Sequence, residues 1–384
     1  RTPRHHTFFE MLGNFSFGDY FKTETIPWEW EFFTSILGWD GERMVATVYE
    51  EDEEAFGIWH EVVGLPEERI FRFGEKENYW PAEAPSKGPN GPCGPCSELY
   101  FDLDPGDLPR AIDLEGLPER FLEVGNFVFT QFNRQESGEL APLPQSNIDV
   151  GLGLERITAV AQGAANNFET EIFGPLLASI QEIAGTDYGK DEDADVRMRR
   201  IADHARAVFF CIADGASPGR EGRAYVVRKI LRRAVRDGIT LGVREPFLAS
   251  LLPAVIESMG PVYPELEEQA PGIQAILQGE EEQFRGVFQE GIARLGSLLK
   301  EPRDGFFPGA LGFELHDTYG FPVDITQVVV EEAGLRFDHD GYQAAMDEQR
   351  ARARSDSAIA GEVFSASAAG VLQSGGLEGT EFLG

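Results

Sequence analysis

The residues of this chain that could do chemistry fall into a few dense stretches. Arg4–Lys22 reads RHHTFFEMLGNFSFGDYFK and holds an arginine, two histidines and several phenylalanines. Guanidinium and imidazole N–H groups donate to phosphate oxygens, and a phenylalanine ring stacks on a nucleobase. The same string suits a β-hairpin with a phenylalanine core and surface histidines, so residue types alone leave both readings open. A second stretch, Asn147–Gln162, reads NIDVGLGLERITAVAQ. Its glycines let backbone approach a ligand closely, although a glycine-rich strand-to-helix junction occurs in many nucleotide folds. In Asn78–Asp102, NYWPAEAPSKGPNGPCGPCSELYFD, Cys93 and Cys96 have C-x-x-C spacing. Zinc needs four ligands, and no second C-x-x-C or paired histidine follows, so the string is read as a structural turn between two prolines. His204, His316 and His339 stand alone, none with the i, i+4 partner of a zinc helix. Nor does any Ser-His-Asp or Cys-His arrangement offer a side-chain nucleophile.

Charge adds a second feature. The net charge of −33 argues at first against nucleic-acid binding. From Arg197 to Arg236, however, eleven Lys/Arg stand against only Asp203, Asp214 and Glu221, a local net of +8. Such a face can hold a phosphate backbone while the remaining surface repels it. A solvated helix with acidic partners elsewhere in the fold fits the same charges. Within this window Ala224–Asp237, AYVVRKILRRAVRD, sets Val227, Ile230, Leu231 and Ala234 in an i, i+3, i+4, i+7 stripe. Arg228, Arg232 and Arg236 follow at four-residue steps beside Lys229 and Arg233, away from that stripe, and Gly238 stands in a capping position.

These groups need elements to position them. A chain of 384 residues, 42% hydrophobic and 26% charged, suits an ordinary globular protein of two or three domains. No run of eighteen apolar residues predicts a membrane span. Residues 1–178 mix short apolar and aromatic runs with Gly/Pro clusters at 87–96 and 104–109. Strands are expected at Thr7–Leu12, Glu98–Asp102 and Asn126–Asn133, the last alternating as a half-buried strand should. Val150–Gln162 is expected to turn helical, with Leu152, Ile157 and Val160 on one face. From about 179 to 350 the pattern is mostly helical, with Glu280–Lys300 as another long amphipathic segment. Residues 351–384, rich in Ala, Ser and Gly, read as a linker. The opening RTPRHHTFFEML lacks the layout of a signal peptide, so the chain reads as a piece cut at both ends. Three cysteines make no disulfide scaffold, which points to the cytoplasm.

Arg4–Lys22 resembles the second half of motif 2 of the class II aminoacyl-tRNA synthetases, in the form typical of alanine–tRNA ligases. Asn147–Gln162 resembles motif 3 of the same class. The resemblance implies that Arg4 or His5 lies near the phosphates of ATP, that His6 contacts ATP and that Phe9 stacks on adenine. It sets Gly153 at the nucleotide and Arg156 against the phosphates and the second side of the adenine. Asp149 would bind the α-ammonium of alanine as a buried carboxylate, a helix cap or surface aspartate being the plainer alternative. GPCGPC resembles a family hallmark loop, and Trp80 matches a position beside the nucleotide that walls the amino-acid pocket. Val124–Arg134, VGNFVFTQFNR, would set Val124, Gly125 and Asn126 beside the adenylate with Asn126 touching alanine; a plain sheet strand reads the same way. Ile201–Asp237 resembles the family's tRNA-recognition helices, so that Arg228, Lys229, Arg232 and Arg233 would meet an acceptor stem. Gly222 stands where some relatives carry a polar residue that helps to read the stem. HDTYGFPVDIT at 316–326 is also family-like and offers Asp317 for a minor-groove contact, or as a turn residue capping the segment after it.

By the same resemblance the fold is α+β. A class II antiparallel sheet flanked by helices would occupy 1–178, and a mostly α-helical tRNA-recognition domain 179–350. The linker 351–384 would lead toward an editing domain. The reaction implied is ATP-dependent activation of L-alanine and transfer to the 3′-terminal adenosine of tRNA(Ala), with Mg²⁺ held mainly by the ATP phosphates. No zinc site is expected in this segment, and any oligomer would form through regions outside it. Motif 1 and the first strand of motif 2 would lie upstream of Arg1, so this chain alone is expected to activate alanine poorly. An adenylate-forming relative with another acceptor should lack the basic helix, and a synthetase-like RNA-binding protein without catalysis should have lost Asp149, Arg156 or Asn126. All of these are present.

Overall fold

Strands with interspersed helices fill residues 11–153 and helices follow to residue 299, in a computed structural model that describes residues 4–104, 120–301, 305–319 and 321–359. The Gly/Pro cluster expected at 104–109 therefore lies, from residue 105 on, outside the described residues. Two compact units are formed, Arg1–Gln278 and Gly279–Gly384.

In chain order the first unit contains β1 (Met11–Leu12), β2 (Phe15–Phe17), α1 (Lys22–Glu31), β3 (Met44–Tyr49), α2 (Glu53–Gly57), β4 (Ile70–Phe73) and β5 (Tyr79–Trp80). There follow β6 (Gly91–Asp102), β7 (Phe121–Arg134), β8 (Leu140–Gly153), α3 (Leu154–Gln162), α4 (Gly174–Ala184), α5 (Glu192–Ala213) and α6 (Gly222–Thr240). The last two helices of this unit are α7 (Leu252–Met259) and α8 (Glu265–Glu268). The sheet runs β1-β8-β7-β6-β3-β4, with β2 also on β8 and β5 on β6. All of these pairings are antiparallel except β3 with β4. Alternation along β7 sends Phe127 and Phe129 into a core with Met44 and Val48 of β3, Ile26 of α1, Phe33 and Trp59. Burial of such rings is the main stabilising term of the unit. The indole of Trp59 keeps a partner for its N–H, donating to Ser97 Oγ at 2.8 Å.

The strands expected at Glu98–Asp102 and Asn126–Asn133 are present and longer than their alternation showed. Three local expectations are corrected. The expected strand Thr7–Leu12 shrinks to Met11–Leu12, because the N–H groups of Thr7 and Glu10 donate to the carboxylates of Asp203 and Glu155 and not to a ladder. The expected helix Val150–Gln162 begins only at Leu154, because pairing of Gly151 with Asn126 and of Leu152 with Leu12 keeps residues 150–153 extended. GPCGPC is not a turn. It is the first half of β6, paired on both sides, with a register shift between Cys93 and Cys96 where the prolines lack donors. Gly94 is required there, since a Cβ would sit 1.9 Å from the carbonyl oxygen of Phe129.

The basic helix α6 buries Val227, Leu231 and Ala234 as expected, with Ile230 only partly covered, and it also buries Arg236, which was expected on the open side. Gly238 is not its cap. The helix runs on to Thr240, and a Cβ on Gly238 would lie 2.3 Å from the ring of Phe247. Residues 179–278 thus share a compact unit with the sheet.

The helix α9 (Ala270–Leu299) carries the chain into the second unit, which continues with β9 (Phe306–Phe307), α10 (Gly309–Tyr319), α11 (Val323–Glu332), β10 (Arg336–Phe337) and α12 (His339–Ile359). Strands β9 and β10 pair in parallel, and Phe288 packs on Phe321 at 5.6 Å. Helix α12 extends into the stretch read as a linker; residues 360–384 lie outside the described residues.

Candidate active site

A cavity of about 410 Å³ in the first unit is lined by every residue that the sequence assigned to nucleotide or amino acid. The segment before β1 supplies Arg4, His5, His6 and Phe9. Trp80 comes from β5, Val124, Gly125 and Asn126 from β7, Asp149 and Gly153 from β8, and Arg156 from α3. The lining also includes Glu123, Asn167, Met11, Val128, Gly151 and Glu155, which sequence reasoning had not singled out. Glu155 had a signal available, its place beside Arg156 in the GLGLER string. Glu123 and Asn167 had none beyond nearness to a motif.

Several of these side chains are fixed by partners. Arg156 Nη1 donates to the carbonyl oxygen of Glu123 at 2.9 Å and to its Oε2 at 2.8 Å, and Nε reaches the carbonyl of Arg4 at 3.4 Å. One nitrogen of Arg156 is thereby neutralised from β7 while the group still borders the cavity. The imidazole of His5 is pushed below the usual histidine range, first by burial and then by the neighbouring charge of Arg156. His6 has a side chain only 2% exposed. Its Nε2 lies 2.9 Å from Asn167 Nδ2, and its ring stacks on Phe173 at 5.1 Å. It shapes the wall more than it offers a free N–H. By contrast Phe9 and Trp80 are 46% and 54% exposed, flat apolar surfaces open to a planar partner.

Asp149 is exposed, not the buried carboxylate expected. Alternation along β8 sends Ile148 and Val150 into the core and leaves the carboxylate of Asp149 on the cavity side. Asn126 is held from behind, its Nδ2 donating to Glu98 Oε1 at 2.9 Å, while Tyr100 donates to the other oxygen of that carboxylate at 2.6 Å. Burial, reinforced by the charge of Glu123, pushes Glu98 up to about 8. Gly125 is needed in this floor because a Cβ would come within 2.8 Å of Leu152.

The expected tRNA-binding residues lie apart from this cavity. Arg228, Lys229, Arg232 and Arg233 are half-buried on α6. The window around them is less free than its charge suggests. Asp237, 1% exposed, binds Arg197 at 3.3 Å and also Arg200; Arg199 pairs with Glu192 at 2.6 Å, and Arg206 with Glu155. Asp317 belongs to the second unit, where it is exposed on α10 and accepts from Gln349 at 3.0 Å. It lies within a helix, not at a turn.

Among the described residues no three His, Cys, Asp or Glu converge as a metal site. Nor, among the described residues, is any helix long and apolar enough to cross a membrane. The cavity therefore combines an exposed carboxylate, a tethered amide, two arginines and two open aromatic faces. This set can hold a small cation beside a phosphate-bearing purine.

Comparison with known proteins gives the same direction. Residues 1–374 match the family model of tRNA synthetases class II (A). The chain is 49% identical over 363 residues to an alanine–tRNA ligase of Carboxydothermus hydrogenoformans, covering 92% of this chain and 40% of that protein. It is 47% identical over 364 residues to an alanine–tRNA ligase of Petrotoga mobilis, covering 93% of this chain and 41% of the other. With an alanine–tRNA ligase of Thermus thermophilus the identity is 46% over 392 residues, covering 100% of this chain and 44% of that protein. The chain thus spans well under half the length of these relatives.

Proposed function

The chain belongs to the class II (A) tRNA synthetases, and from that premise we propose that it is the part of an alanine–tRNA ligase that activates alanine and receives the tRNA acceptor end. The observation that carries this reading is that Asp149, Asn126, Arg156 and Phe9 share one cavity. Asp149 pairs with the α-ammonium of alanine and Asn126 with the same small substrate. Phe9 stacks on adenine, while Arg4, His5 and Arg156 face the phosphates, with Val124, Gly125 and Gly153 giving the backbone close approach. His6 keeps the wall in place, and Trp80 limits the space beyond the methyl group.

The reaction runs as two displacements. An oxygen of the alanine carboxylate attacks the α-phosphorus of ATP, the bond to the bridging oxygen of the β-phosphate breaks, and pyrophosphate leaves. A ribose hydroxyl of the terminal adenosine then attacks the alanyl carbonyl, and AMP leaves. Neither step needs a side-chain nucleophile; positioning and charge stabilisation supply the rate, proximity alone up to roughly 7–11 kcal/mol in favourable cases. Mg²⁺ enters with the nucleotide, held by its phosphates. Residues 1–178 carry this chemistry, 179–350 receive the acceptor stem through Arg228, Lys229, Arg232, Arg233 and Asp317, and the protein works in the cytoplasm.

Titration of the chain with alanyl-sulfamoyl-adenosine, a non-hydrolysable adenylate analogue, tests this. Saturable binding is expected, weakened at least about tenfold by Asp149→Ala and little populated by the leucyl analogue. Absence of saturable binding, or equal binding of the leucyl compound, refutes the reading.

A further inference from the structure

The main chain of the cavity wall that bears Arg4–Phe9 does not join the sheet ladder, although the Arg4 side chain donates to the carbonyl of Phe121 on β7. Ladder pairing begins only at Met11, so the main chain before it must find other partners. They come from α5. The carboxylate of Asp203 accepts from the N–H of Thr7 at 2.7 Å, from Thr7 Oγ1 at 2.5 Å and from His204 Nδ1 at 2.8 Å, and it lies 3.4 Å from His6 Nδ1. One turn further along α5, Arg206 binds Glu155 at 2.6 Å, and Glu155 accepts the N–H of Glu10. Two residues of α5 spaced i, i+3 therefore hold the wall, at Thr7 directly and at Glu10 through Glu155 of α3.

Asp203 is suited to this task. Its side chain is 9% exposed. Burial alone would raise its pKa, but the hydrogen bonds from His204, His6 and Thr7 outweigh it and hold the carboxyl well below the usual range. It therefore remains an acceptor at every working pH. No other carboxylate has hydrogen-bond distances to Thr7 among the described residues.

We propose that Asp203 is a positioning residue for the nucleotide: by gripping Thr7 through main chain and hydroxyl together, it sets His5 and Phe9 on either side of Thr7 at the cavity. This rests on the reading of the cavity as an adenylate site. Asp203 touches no substrate itself. Its effect reaches the purine and phosphate side through the wall, and leaves Asp149 and Asn126, which stand on β8 and β7, as they are.

The test compares two ligands of the chain by calorimetry: 5′-O-sulfamoyladenosine, and the same compound carrying alanine. Asp203→Asn, which keeps the shape but turns a donor toward Thr7 Oγ1, should weaken both about tenfold, the share of a hydrogen bond to a charged group. The ratio of the two affinities reports the amino-acid side and should stay within about twofold. Thr7→Val should act in the same direction, and the double variant should be no worse than the stronger single one, since both break one contact. Unchanged affinity for sulfamoyladenosine in a folded Asp203→Asn protein overturns the proposal. So does loss of the ratio, or full additivity with Thr7→Val, either of which marks a general structural role. If the unaltered chain binds neither compound, it is the adenylate reading that fails.

Discussion

Replacing Arg206 by methionine tests how the cavity wall is tied to α5. Arg206 and Glu155 are each 1% exposed and 2.6 Å apart. Methionine keeps the unbranched stem but removes the guanidinium, so the Glu155 carboxylate is left buried with the N–H of Glu10 as its remaining donor, at 3.1 and 3.2 Å to its two oxygens. Breaking one side of such a pair costs about 3–5 kcal/mol. The guanidinium also lies over the rings of Phe173 at 4.5 Å and Phe8 at 5.2 Å. Each such contact is worth about 1 kcal/mol, of which a thioether against the same rings regains part. The net is a loss of about 4 kcal/mol, and a melting temperature lower by about 10 °C in a unit of this size. Adding Glu155→Gln removes the stranded charge, so the double variant should recover most of the loss. Melting followed by circular dichroism decides it. A single variant within about 2 °C of the parent, or a double variant no better than the single, would show that the pair does not hold this wall.

Three further outcomes are expected. Burial pushes Glu29 from 4.5 up to about 7, so the folded chain keeps a proton that the unfolded chain releases; the stability this gives is whole below pH 4.5 and is lost as pH rises toward 7, up to about 3 kcal/mol. Glu29→Gln should therefore raise the melting temperature at pH 8 and not at pH 4.5, and equal shifts at both would count against it. Phe9→Ala should weaken adenosine-containing ligands by the ~1–3 kcal/mol of one base stack, with Phe9→Trp restoring affinity in the same titration. Reversing Arg232 and Arg233 to glutamate should weaken tRNA binding in filter assays and flatten its salt dependence by about one unit of log–log slope per lost phosphate contact; an unaltered slope would remove α6 from the interface.

How much of the fold could be read in advance depended on whether its cause was local. The alternation at 126–133 and the stripe on α6 are periodic, and periodicity is a property of neighbours in sequence. GPCGPC failed for the opposite reason. Its glycines and prolines resemble a turn to any local rule, and what makes it a strand is β7 on one side and β5 on the other. Residues 150–153 are of the same kind: their sequence leads into a helix, but pairing across β7 and β1 holds them extended. The shortened strand before Met11 owes its shape to Asp203 and Glu155, 196 and 145 residues away from their partners. No window along the chain contains both halves of such a bond.

The site divides along the same line. The residues proposed to meet ligand were marked by the resemblance of their dense strings to the synthetase motifs, whereas residue types alone left a plain hairpin or strand open. The residues that hold them were not, since Glu123, Asn167 and Asp203 carry no signal until the fold sets them beside Arg156, His6 and Thr7. The basic window shows what this does to an electrostatic argument. Its +8 was counted among sequence neighbours, while the acids that answer it, Glu155, Glu192 and Asp237, lie outside the window and reach in through space. Arg197, Arg200 and Arg206 thereby hold α5 to its surroundings, while Arg199 pairs with Glu192 of the same helix. The +8 of the window is therefore not all available to a phosphate backbone. Charge reversal at Arg197 or Arg200 should therefore lower the melting temperature, since each is an ion-pair partner of the buried Asp237 carboxylate, and an unchanged melting temperature would show that these pairs do not tie α5 to α6.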